Sequence, residues 1–269
     1  MNEDIWFEEP LLPPQELVAE TAKGLADLAD LRLSEEKGLD LATLRQATDK
    51  EVFLEQYVEE KAQGVLRVHH PRCRPLTAEE AARIPSGLSS LQAGSPAKGK
   101  LYLVRLGMEF DVPPQGREAG WAYTAAWQRA YLFSPASQEQ PCVLDIYPQH
   151  LYEGEPSSVK VEVGLGLKAG PVEVEVGSIS TDLHLGQVTP VTTGFFGREE
   201  REPYWEMRAK AKPILGIYHC WMIVERPAGC GPVRLAAFGE GDLQTRLFSI
   251  PVGPKERAWG QRKSIALAA

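Results

Sequence analysis

Apolar and polar positions along the chain follow two different periods, and the change falls near residue 100. Before it, apolar residues recur at helical spacing. Val18, Ala22, Leu25 and Ala29 keep a four-three-four rhythm, with Leu28 at the margin, which predicts a helix from Pro14 onward with one apolar stripe. Thr48-Asp-Lys-Glu51 has the form of a capping box, and Phe53, Leu54, Tyr57 and Val58 share a face behind it. Thr77-Ala-Glu-Glu80 opens a third, short helix that stops before Pro85. Residues 86–100, SGLSSLQAGSPAKGK, have no core-forming pattern and read as a flexible linker.

After the linker the period is two. LYLVRLGMEFDV, CVLDIY, PYWEMRAKAK, ILGIYHCWMIVE, VRLAAFG and LQTRLFSIPV read as strands, separated by Pro and Gly. Residues 159–167 and 172–176 alternate cleanly and predict a hairpin turning at KAGP. Val161, Val163, Leu165 and Leu167 then face inward beside Val172, Val174 and Val176. GWAYTAAWQRAYLF, 120–133, fits either period: Tyr123, Trp127 and Tyr131 also fall at helical spacing. Because strands surround it, it reads as a strand with Trp121, Tyr123, Trp127, Tyr131 and Phe133 on one face. The expected fold is mainly β with an α-helical N-terminal region: an antiparallel β-sandwich of about 7–9 strands preceded by two or three helices. The expected layout is an acidic helical region with an extended arm (1–85), the linker (86–100), the sandwich (101–253) and a basic, apolar tail (254–269).

Charge sharpens this division. The 269 residues carry a formal −8, but residues 1–62 alone hold 16 acidic against 6 basic side chains. Phosphate repulsion argues against nucleic-acid binding by that region, and a basic partner or the chain's own basic C-terminal part suits it better. No stretch approaches the roughly 18–20 apolar residues that cross a bilayer as a helix. The start is acidic, unlike a secretory signal. Four scattered cysteines, at 73, 142, 220 and 230, predict a reducing, cytoplasmic setting.

The densest cluster of reactive side chains is GIYHCWMIVERPAGCGPV, 216–233, which reads as a β-hairpin. On a strand His219 and Cys220 point to opposite faces, so they make a poor base and nucleophile, and Cys220 is expected inside. VHHPRCRP brings His69, His70 and Cys73 together as a fragmentary metal set, but tetrahedral zinc needs a second pair of ligands that no motif supplies. Phosphate-binding glycine loops, a nucleophile elbow and the H-E-x-x-H signature do not occur in the sequence. No cofactor is expected.

Aromatic side chains set among charges are the remaining candidates. Trp6 and Phe7 lie in the acidic arm, Phe195 and Phe196 in a charged loop, and Trp259 among Lys255, Arg257, Arg262 and Lys263. They are the expected contacts for a protein partner. The leading expectation is a non-enzymatic, cytoplasmic adaptor, inhibitor or effector. Its acidic helices bind one partner, its sandwich binds or braces another, and the linker is open to proteolysis. The helices docking on the chain's own β-domain is a further expectation. The alternatives are a hydrolase or nuclease with a site built from scattered His and Cys, and a membrane-surface effector using segment 121–133.

Overall fold

The computed structural model describes residues 4–28, 30–34, 36–82, 99–147, 158–162, 166–169, 181–184, 201–209, 213–255 and 257–267. The chain is mainly β, with two antiparallel sheets and helices concentrated towards the N-terminus. It opens with β1 (Ile5–Leu11), then α1 (Gln15–Ala26), α2 (Asp30–Leu33), α3 (Leu41–Gln46) and α4 (Lys50–Lys61). The strands β2 (Gly64–His69) and β3 (Arg72–Pro75) and the short α5 (Ala78–Ala82) follow.

The helices form where the pattern placed them, and their caps explain their ends. Val18, Ala22 and Leu25 of α1 are buried, and Gly24 is tolerated within the helix. At α4 the cap is Asp49, not Thr48: its carboxylate accepts from the amides of Glu51 and Val52. Its charged oxygen, at the residue just before the helix, satisfies free amides of the first turn. At α5 the capping box is complete, with Thr77 N–H donating to Glu80 and Glu80 N–H donating to the Thr77 hydroxyl. The sequence pattern missed α2 and α3, which are four and six residues long, too short for a period to show.

The remaining chain supplies β4 (Gly99–Asp111), α6 (Pro114–Glu118), β5 (Ala122–Phe133) and β6 (Cys142–Tyr147). Short strands β7 (Ser158–Glu162), β8 (Gly166–Ala169) and β9 (Thr181–His184) precede β10 (Tyr204–Arg208), β11 (Gly216–Pro227), β12 (Arg234–Gln244), β13 (Ser249–Val252) and β14 (Ser264–Ala266). The first sheet runs β1-β2-β4-β11-β6, with β3 also on β4. The second runs β10-β5-β12-β13, with β14 also on β12. A small third sheet runs β8-β7-β9.

The two large sheets share one apolar core. Val104, Leu106, Met108 and Phe110 of β4 and Cys220, Met222 and Val224 of β11 pack in it with Tyr123, Ala126, Ala130 and Leu132 of β5. Phe110 meets Tyr123 edge-to-face at 5.6 Å between ring centres. A polar bridge spans the sheets within the core: Gln128 donates to the Tyr218 carbonyl and accepts from the Cys220 thiol at 3.0 Å.

Four expectations need revision. First, 216–233 is not a hairpin: β11 pairs with β4 and β6, whereas β12 pairs with β5, β13 and β14. Both edges of β11 are already taken, so the Pro-Gly segment carries the chain across to the other sheet. Second, the alternating run 159–167 pairs with itself, Val161 opposite Leu167. Residues 172–176 lie outside the described residues.

Third, segment 120–133 is a strand, but its aromatics do not share a face. Asp242 lies opposite Ala125 and Leu243 opposite Tyr123, so one extra residue is accommodated at Thr124. A one-residue bulge reverses the facing of everything beyond it. Trp121 and Tyr123 are therefore buried, while Trp127, Tyr131 and Phe133 stay partly exposed. Fourth, the first 85 residues also contribute strands, since β1, β2 and β3 all join the first sheet. Of the expected linker, Gly99 and Lys100 already belong to β4, and 86–98 lie outside the described residues.

Candidate functional site

The aromatic side chains that the bulge turns outward lie on the outer face of the second sheet, and the strand register orders them in rows. Tyr204 and Phe238 flank Arg129, Glu206 and Glu240 flank Trp127, and Arg208 and Asp242 flank Ala125. Further along, Tyr131 lies opposite Ala236 and Phe133 opposite Arg234. Residues in register across antiparallel strands project to the same side, so each row is a strip of neighbouring side chains.

Ring contacts tie the rows together. Tyr131 stacks on Phe133 at 5.4 Å and on Trp259 at 5.4 Å, and Trp259 leans on Phe238 at 4.8 Å. The Arg129 guanidinium lies 5.9 Å from the Tyr204 ring and 5.8 Å from that of Phe238, within the range where a cation is drawn to a π-face. Arg201 lies 5.6 Å over Tyr131. Glu240 sits between two cations, 3.5 Å from Arg129 and 3.3 Å from Arg257. Burial raises the carboxyl of Asp242 above its ordinary range, with Arg208 opposing and Glu206 adding to the shift. The face thus has an aromatic, arginine-rich end and an acidic end.

The residues singled out from sequence are dispersed. Phe7 is buried in the core, paired edge-to-face with Trp6 at 4.8 Å, and Trp6 packs against the same core. Trp259 belongs to the aromatic face just described. Phe195 and Phe196 lie outside the described residues. His69 is buried at the end of β2, His70 is exposed just after it, and Cys73 is half-buried in β3 with its thiol pushed up to about 11 by burial. Among the described residues no group of three or more His, Cys, Asp or Glu side chains is placed to hold a metal ion. Sequence reasoning missed Arg129, Tyr204 and Phe238. They lie on three strands remote in sequence, and only the register brings them together.

No family model matches the chain, and no curated protein matches it. Among solved structures it is similar to Clostridium perfringens delta-toxin, at 7% identity and a TM-score of 0.36 over 77% of this chain and 89% of that one. It is also similar to the Clostridium perfringens NetB toxin in its membrane-inserted form, at 6% identity and a TM-score of 0.31 over 76% of this chain and 94% of that one. The expectation of a cytoplasmic adaptor or regulator is corrected accordingly: the structures found to be similar are toxins. At such TM-scores the likeness carries neither a toxin's activity nor its location to this chain.

Proposed function

We propose that the chain acts at a membrane surface and docks there through the outer face of its second sheet. One observation carries the reading. Trp127, Tyr131, Phe133, Tyr204 and Trp259 are all partly exposed on that side, interleaved with Arg129 and Arg257. Aromatic rings with a polar edge settle at the boundary between headgroups and acyl chains, and adjacent guanidinium groups reach headgroup phosphates. Each ring that removes roughly 100 Å² of apolar surface from water contributes about 2 kcal/mol.

Charge selects the lipid. A chain of net −8, with Glu206, Glu240 and Asp242 on the docking face itself, is repelled by an anionic leaflet. Zwitterionic lipid avoids that cost and offers phosphates to the arginines.

Flotation with phosphatidylcholine vesicles tests the proposal. The chain is expected to float with the vesicles. Trp127→Ala combined with Tyr131→Ala should lower binding at least tenfold with an unchanged circular dichroism spectrum, and added phosphatidylserine should weaken it. Failure to float, or equal binding by the double variant, would sink the reading.

A further inference from the structure

A second cluster lies on the outer face of the first sheet. Along β4 the residues alternate: Val104, Leu106 and Met108 enter the core, so Arg105, Gly107 and Glu109 face outward. Arg105 lies directly opposite Arg72 of β3 on one side and Trp221 of β11 on the other. In the next row Gly107 lies opposite His219, with His69 on its other flank. Four basic side chains from β2, β3, β4 and β11 therefore meet in two adjacent rows.

Their counter-charges are few and already engaged. Asp4 lies 3.7 Å from Arg72 and 3.9 Å from His69. Glu109 is held by Arg67 at 2.9 Å and stands 3.7 Å from His69. Among the described residues no carboxylate lies within ion-pair distance of Arg105. Burial and Arg72 lower the pKa of its guanidinium, and Asp4 only partly opposes them. His69 Nε2 and His219 Nδ1 are buried without hydrogen-bond partners, and the His69 side chain is only 6% exposed.

Like charges directly opposite on a sheet destabilise it, and a partly desolvated charge without a partner costs more. Such an arrangement lowers the stability of the empty protein, and a bound anion would reverse that. The geometry points to a binding site for a phosphate-type oxyanion, held by the guanidinium groups of Arg72 and Arg105 with His69 and His219 beside them. Planar guanidinium forks match the spacing of phosphate oxygens. Inorganic phosphate, a phosphate ester and a lipid headgroup present the same chemistry. The site lies on the opposite side of the sandwich from the aromatic face, so a chain docked through the second sheet turns it away from the bilayer. That placement favours a soluble phosphate.

Thermal unfolding of the full chain with and without inorganic phosphate, at constant ionic strength set with chloride, tests the site. Phosphate should raise the midpoint in a concentration-dependent manner. Arg105→Gln should raise the midpoint of the phosphate-free protein, by removing the opposed charges, and abolish the phosphate-dependent gain. Arg105→Lys keeps the charge without the fork and should lose most of the gain. A parallel arm measures binding to phosphatidylcholine vesicles doped with phosphatidic acid. Extra binding over that to phosphatidylcholine alone, lost in Arg105→Gln, would support the same oxyanion chemistry with lipid as its source. Loss of vesicle docking in the Trp127 and Tyr131 variant would leave the phosphate gain intact, so the two proposals fail separately. An equal phosphate gain in parent and Arg105→Gln, or no response in either arm, overturns the site.

Discussion

A methyl group on Gly107 would sit 2.9 Å from Nδ1 of His219 and 3.4 Å from Cβ of His69. The first distance is closer than packed atoms approach, and both rings belong to neighbouring strands that cannot retreat without disturbing the sheet. Gly107→Ala is therefore expected to cost about 1–3 kcal/mol, read as a lower urea midpoint with an unchanged slope. An unaltered midpoint would mean that His219 has room to move. His219 also makes stability depend on pH. Burial, then Arg105 and His69, lower its imidazole from an ordinary 6.5 to about 4 in the folded chain. The unfolded chain takes up the proton first as the solution is acidified, so this component of stability is complete above 6.5 and lost as pH falls towards 4. With allowance for partial exposure, the loss is about 1–2 kcal/mol. His219→Gln should narrow the stability difference between neutral and mildly acidic buffer. An unchanged difference would assign the acid sensitivity elsewhere.

At the scale of elements, Glu36 joins the helical layer to the sandwich. It is 4% exposed and accepts from the Thr245 hydroxyl at 2.5 Å and the Leu247 amide at 3.1 Å, in the turn between β12 and β13. Glu36→Ala leaves the Thr245 hydroxyl without its acceptor and takes from the Leu247 amide one of its two, and is expected to cost about 1–3 kcal/mol. Limited proteolysis should then cut between α1 and α4 sooner than in the parent, and an identical digestion pattern would show that apolar packing alone holds the layer. The elements legible in sequence had a sustained period, as in α1, α4, β4, β6 and most of β10 to β13, or a capping box, as in α5. β1 and β3 had neither. β1 carries two adjacent acidic residues and a proline, and β3 is four residues of arginine, cysteine and proline. The aromatic strand shows a different limit. Its secondary structure was readable, but one extra residue at Thr124, invisible to periodicity, decides which rings face water.

For the whole molecule, what sequence could not supply is which strands become neighbours. Arg72 and Arg105 each look like an ordinary solvated charge, and only the β3–β4 register sets them against each other. Trp259 was a candidate for its aromatic, basic surroundings, yet the rings it meets, Tyr131 and Phe238, come from β5 and β12. Charge segregation was legible, and part of it is resolved within the fold: Glu9 of β1 pairs with Arg262, whose side chain is 5% exposed.

That pair also fixes an order of events during synthesis. Glu9 leaves the ribosome 253 residues before Arg262, and at about 5–20 residues per second the interval is tens of seconds. The bridge between Leu12 and Gly253 and the bond from Thr245 to Glu36 impose similar delays. β1 must wait for β2, but the clasp over it cannot close until Arg262 has emerged. Contacts of such separation fold slowly, so the acidic arm spends that time unclasped, and its charge helps to keep the unfinished chain from pairing with another.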